Sequence, residues 1–101
     1  MSKLKTVECV QTELMPVSSR KSFYGKAHVL DDLRGARYLK SYATVVCSVG
    51  KTGRVRKYFQ PETKTTAAHL KSFLATYAPG VTTEDYRKLP FEDRPPIRVR
   101  V

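Results

Sequence analysis

Pro61 divides the chain into two stretches whose apolar residues repeat with different periods. After it, Leu70, Phe73, Leu74 and Tyr77 fall at i, i+3, i+4 and i+7, the spacing of one helical face, until Pro79 and Gly80 end the pattern. Thr65 and Thr66 are N-cap residue types, so the spacing predicts an amphipathic helix from about Thr66 to Ala78. Before Pro61, the run Arg37 to Val49 is dense in aromatic and β-branched residues, GKTG at 50–53 makes a turn, and Arg54 to Gln60 returns as RVRKYFQ. A hairpin followed by a helix with one apolar face buries both only if the helix lies on one side of an antiparallel sheet. The expected fold class is therefore α+β: a small antiparallel sheet with a long hairpin and one helix packed on one face.

The remaining elements are shorter. Thr6 to Leu14 reads as an edge strand with Val10, Thr12 and Leu14 on one side, broken at Pro16, unless the first twenty residues are flexible. From Phe23 to Leu30 the apolar and polar residues alternate as a strand does, and Asp31 and Asp32 close it. Arg37 to Val49 exceeds the ~3–10 residues of an ordinary strand, so it either bends near Ala43 and Thr44 or is two strands meeting at a bulge. Thr82 or Thr83 caps a short second helix, EDYRKL, with Glu84 and Asp85 in the first turn and Pro90 beyond its end. Residues 94–101 form a free arm or a last edge strand in which Ile97, Val99 and Val101 alternate with Arg98 and Arg100.

The hairpin register follows from its apolar residues. Val45, Cys47 and Val49 share one face of the outgoing strand, and Val55 and Phe59 share one face of the returning strand. Setting Val49 opposite Val55 turns both groups to the core. The same register turns Arg54, Arg56 and Tyr58 to the other face, near Val46 and Ser48.

A chain of 101 residues suits one domain, 1–101, and has no room for the second domain of a large cofactor enzyme. No window reaches the roughly 18 apolar residues of a membrane-spanning helix, and the start lacks the apolar run of a secretory signal. The expected location is the cytoplasm, and Cys9 and Cys47, far apart and outside any CxxC pair, are expected to be buried thiols.

Lys and Arg number 19 against 9 Asp and Glu, a net charge of +10, and the excess is concentrated. Leu33 to Pro61 contains no carboxylate, whereas Val81 to Asp93 is net acidic. Phosphate binding needs cations on one surface, and base stacking needs exposed aromatic rings. Arg34, Arg37, Lys40, Lys51, Arg54, Arg56, Lys57 and Tyr58, with Tyr38 and Tyr42 beside them, are the candidate contacts for DNA or RNA of low sequence specificity. The alternative occupant of a basic surface is an acidic protein, or a second copy of this chain added at an edge strand through Ile97, Val99 and Val101. Aromatic residues on strands are more often core than stacking platforms, so Tyr38, Tyr42 and Tyr58 have a packing role open to them as well.

Other chemistry finds little support. Gly50, Lys51 and Thr52 resemble the end of a phosphate-binding loop, but position 45 is Val45 where that motif needs glycine, and the triplet joins two strands. His28, His69, Cys9 and Cys47 show no metal-ligand spacing. A Cys47–His69 nucleophile pair would require a thiol on the apolar face of its strand, where thiols are inert. The carboxylates cluster where strand ends and helix starts explain them. No catalytic residue, metal or cofactor is expected.

Three pieces carry a resemblance: FYGKA at Phe23 to Ala27, SYATVV at Ser41 to Val46, and TTAAHLKSFL at Thr65 to Leu74. In order and spacing the chain resembles a family of small domains of unknown function encoded by bacteriophages and gut bacteria. The resemblance implies a small α+β fold and a viral origin, and it brings no activity or catalytic residue with it.

Overall fold

The computed structural model describes residues 5–14 and 26–100. Its elements in chain order are β1 (Val7–Glu13), β2 (Ala27–Asp31), β3 (Arg37–Ser41), β4 (Thr44–Val49), β5 (Val55–Lys57), α1 (Lys64–Tyr77), α2 (Thr83–Arg87) and β6 (Ile97–Arg100). The strands form one sheet in the order β5-β4-β3-β2-β1-β6. All neighbours are antiparallel except β1 and β6, which run parallel with Val7 opposite Ile97. The α+β class expected from the change of period is the class observed. Phe23, Tyr24 and Gly25, expected to open β2, lie outside the described residues, as does Val101.

α1 forms where the i, i+3, i+4 pattern predicts it, starting slightly earlier, because Thr63 and not Thr65 or Thr66 caps it: its Oγ1 accepts from the Thr66 N–H at 3.2 Å. Leu70, Phe73 and Leu74 are buried against Ala27, Val29, Leu39, Cys47, Val49 and Val55. Removing a side chain such as Phe73 from water stabilises by about 1.5–3 kcal/mol. Thr82 caps α2 in a reciprocal arrangement with Asp85, each side chain accepting from the other's backbone N–H. Tyr86 of α2 is fully buried in the same core.

Three expectations change. Arg37 to Val49 does not bend or continue through a bulge; it reverses at Tyr42 and Ala43, so β3 and β4 are themselves a hairpin. Tyr42 takes the left-handed φ of 55° and its N–H donates to Lys26 O at 2.7 Å. That turn lacks the Gly or Asn that marks such positions, which hid it. A bulge does exist, but within the pair: Leu39 faces Cys47 while Lys40 faces Val45, leaving Val46 as the extra residue. The shift turns Val46 to the helix-side core beside Cys47 and Val45 to the other face. Finally, β1 is not an edge strand. β6 covers it, since Ile97 and Val99 extend the apolar row of Val7 and Cys9.

The expected hairpin register holds at Val49 opposite Val55, but β5 ends at Lys57, and Phe59, expected in the core beside Val55, is 40% exposed. The sheet cannot be flat. Phe91 bridges Lys57 on the outer side of β5, yet Ile97, six residues later, opens β6 at the far edge. From Phe91 to β6, six strand spacings of a flat sheet span roughly 29 Å, and six extended residues reach at most roughly 22 Å. The sheet therefore curls, and the face away from α1 closes on itself. There Cys9, Leu30 and Tyr38 are buried, with Tyr58, Ile97 and Val99 packed against them. Among the described residues no helix covers this face.

Candidate nucleic-acid interface

The curl decides which of the expected contacts reach solvent. Tyr38 is only 6% exposed and stacks on Tyr58, with ring centroids 6.4 Å apart and planes 17° from parallel. The Tyr58 hydroxyl meets Ser48 Oγ at 2.8 Å, and burial raises the pKa of both phenols, that of Tyr38 to about 12. An aromatic stacking platform is therefore not what this face presents, because the two rings satisfy each other.

Lys57 is corrected as well. Its position opposite Cys47 turns it to the helix side, where it is 3% exposed. The ammonium donates to Arg87 O at 3.1 Å and lies over the rings of Tyr86 and Phe91 at 5.4 and 4.5 Å. Arg37 is half-buried over Tyr77, 5.0 Å from the ring centroid, with Asp31 at 3.7 Å. Lys40 lies on the closed face toward the opposite end of the sheet, across from His28. Ile97 and Val99 are half-buried in the second core and do not form an exposed apolar edge.

The remaining cations gather at one end of the sheet. Antiparallel order places the β2–β3 loop and the β4–β5 turn at the same end, where β1 and β6 also begin. Arg34, Lys51, Arg54 and Arg56 are exposed there. Beside them is a groove of about 730 Å³ lined by Lys5, Arg34, Arg98 and Arg100, with Glu8 and Asp32 as its carboxylates. Arg54 makes a surface pair with Glu92 at 3.8 Å, the kind worth roughly 0–1 kcal/mol.

Local hydrogen bonds make this end rigid. Asp32 Oδ1 accepts from the N–H groups of Arg34 and Ala36 at 2.8 and 3.0 Å, and Asp31 Oδ1 accepts from Leu33 N–H at 2.7 Å. Leu33 is thereby held at φ 61°, and the residue, 67% exposed, lines the groove. A leucine in that backbone region costs about 1–2 kcal/mol. Gly35, at φ 109°, is pressed against Lys51: a Cβ there would lie 2.9 Å from Lys51 Cβ, which fixes the loop against the turn.

Sequence reasoning missed Lys5, Arg98 and Arg100 as members of this surface. The Arg-Val-Arg alternation of the tail was visible, but only the parallel pairing of β6 with β1 brings both chain ends to the β2–β3 loop. It also missed a polar cluster at the opposite end. Ser41 Oγ meets His69 Nδ1 at 2.8 Å and Thr66 Oγ1 at 3.2 Å, and the Tyr42 ring lies 6.0 Å from that of His69. Burial, and secondarily the Lys26 charge, lowers the His69 pKa and keeps the imidazole neutral. The Ser41 hydroxyl donates to Thr66 and so does not give its proton to His69, and both residues are sealed from solvent, which leaves no nucleophile and base within a substrate's reach. Both cysteines are free and buried; burial pushes the Cys9 thiol up to about 11 and that of Cys47 higher still, so neither is a ready nucleophile. Among the described residues no group of three His, Cys, Asp or Glu side chains could hold a metal ion, and no helix is long and apolar enough to cross a membrane.

The fold and this end define a small α+β domain with a curled six-stranded sheet and a basic rim. The model of a family of unknown function, DUF8033, matches residues 11–89, and the chain belongs to that family. No curated protein and no solved structure matches it. The match includes Leu33, Arg34, Lys51 and Arg54 but leaves out Lys5, Arg98 and Arg100, so the groove joins residues of the family domain to residues beyond the matched region.

Proposed function

We propose that the protein is a non-enzymatic accessory protein that binds DNA or RNA with little sequence preference, through the basic rim and not through the face of its sheet. The observation that carries this reading is the groove where Lys5, Arg34, Arg98 and Arg100 converge, with Lys51, Arg54 and Arg56 exposed at the same end. Cations from three separate chain segments line the groove, four of them against the two carboxylates there. Such a surface attracts a phosphate backbone and releases its counterions. Asp32, one of the two groove carboxylates, is held by backbone N–H groups. The resemblance to phage and gut-bacterial domains supports a phage-encoded origin and a role in the host cytoplasm.

Filter binding over a salt series tests this. Each neutralised phosphate contributes about 0.9 to the slope of log affinity against log salt, so Arg34→Gln/Arg98→Gln/Arg100→Gln should flatten it by roughly 2–3. A slope near zero in the natural protein would sink the reading.

A second reading rests on β6, which ends the sheet with one side unpaired among the described residues. A strand from an acidic protein or from a second copy would add there. Light scattering of nuclease-treated protein discriminates: a dimer that persists without nucleic acid favours it, and a monomer disfavours self-pairing.

A further inference from the structure

We infer that Leu33 is a wedge that enters the base stack of duplex DNA, an inference that rests on the nucleic-acid reading and names its substrate class. Three observations meet at this residue. First, among the described residues it is the most exposed of the large apolar residues, and it lines the basic groove together with Lys5, Arg34, Arg98 and Arg100. An apolar side chain in a groove with four cations against two carboxylates fits a ligand whose rim is anionic and whose interior is apolar, which is the arrangement of a stacked duplex.

Second, the backbone carries it in a left-handed conformation, φ 61°, that leucine rarely adopts. Strain of that kind persists where the surroundings impose it, and it collects at functional positions. Asn, Asp or Gly would occupy the position with less strain. Third, the loop is prepared in advance. Asp31 and Asp32 take the N–H groups of Leu33, Arg34 and Ala36, and Gly35 abuts Lys51, so the tip is held firmly while its side chain projects. Architectural proteins that bind the minor groove insert a leucine, phenylalanine or similar residue between base steps and kink the duplex by roughly 20–90°. The flanking Arg34 would hold the adjacent phosphates. Single strands offer no stacked step to open, and the wide minor groove of A-form RNA offers a poorer one.

The test compares the natural protein with Leu33→Gly and Leu33→Phe on an end-labelled DNA duplex of about 25 base pairs, reading affinity, salt slope and end-to-end energy transfer together. Leu33→Gly relieves the backbone strain at an exposed site, so its thermal midpoint should equal or exceed that of the natural protein. It should keep the salt slope, lose the bend, and bind the duplex about tenfold more weakly, while Leu33→Phe keeps the bend. If Leu33→Gly bends the duplex as the natural protein does, the wedge is overturned and the basic rim stands. Failure of the natural protein to bind any nucleic acid with a salt-dependent affinity overturns both readings. Leu33-dependent binding to vesicles of phosphatidylglycerol, without bending of DNA, overturns the wedge in favour of a membrane surface.

Discussion

Ser41 Oγ and His69 Nδ1 lie 2.8 Å apart in the core, tying the end of β3 to the middle of α1. Thr66 on the previous turn of the helix accepts from the same hydroxyl. The contact joins two of the three sequence pieces that mark the family resemblance, SYATVV and TTAAHLKSFL.

This pair predicts a pH dependence. An unfolded His69 takes up a proton near its ordinary value of 6.5, whereas burial and the Lys26 charge hold the folded imidazole lower. Below that pH the unfolded state therefore binds more protons, so the stability is complete above about pH 6.5 and is lost progressively as the pH falls through this window. Urea midpoints at pH 7.5 and 5.5 should differ in the natural protein and differ less in His69→Leu. Ser41→Ala should cost about 1–3 kcal/mol at neutral pH, because it removes a buried partner of the imidazole.

Gly35 and Gly53 both have positive φ, but only Gly35 is crowded; nothing lies within 4 Å of a Cβ built on Gly53. Gly53→Ala should cost about 1 kcal/mol from backbone conformation alone, and Gly35→Ala distinctly more, up to about 3 kcal/mol. Because Gly35 adjoins Arg34, its variant should also weaken nucleic-acid binding. Chemical denaturation and filter binding of the two variants check this, and equal losses of stability would refute the role given to Lys51.

Lys57 should matter for stability and not for binding. Lys57→Met keeps the aliphatic packing between Tyr86 and Phe91 and should leave the salt slope of nucleic-acid binding unchanged. Lys57→Glu puts a carboxylate against Arg87 O and two ring faces and should destabilise by about 3 kcal/mol or more. A drop in salt slope for the methionine variant would return Lys57 to the interface.

The bulge at Val46 has its own anchor. The Tyr86 hydroxyl lies 2.6 Å from Phe59 O and 3.0 Å from Val46 O, and the Val46 carbonyl also accepts from the Tyr58 and Phe59 N–H groups. Tyr86→Phe should cost about 1–2 kcal/mol in a denaturant titration while preserving the fold, since the ring remains packed.

Much of the fold was legible because it depends on local spacing. The apolar face of α1, the capping of α2 at Thr82 or Thr83, the turn at 50–53 and the pairing of Val49 with Val55 all follow from residues close together in the chain. The candidate site was legible only in part. Arg34, Lys51, Arg54 and Arg56 lie at the basic rim. Lys57 was misplaced because the alternation of a strand says which residues share a face but not that Tyr86 and Phe91 will close over one of them. Tyr38 and Tyr58 were readable as aromatic strand residues, yet their exposure depended on whether the sheet was flat.

By itself the sequence determined that a hairpin and an amphipathic helix must pack as an α+β domain, and that its positive charge is concentrated. Three things were decided only in the tertiary structure: the reversal at Tyr42, the placement of β6 against β1, and the curl that closes one face. Each depends on contacts between residues far apart in the chain: Lys26 with Tyr42, Val7 with Ile97, Lys57 with Phe91. Local propensity carries no record of such contacts, because their free energy comes from apolar surface and hydrogen-bonding groups that meet only when the chain is folded.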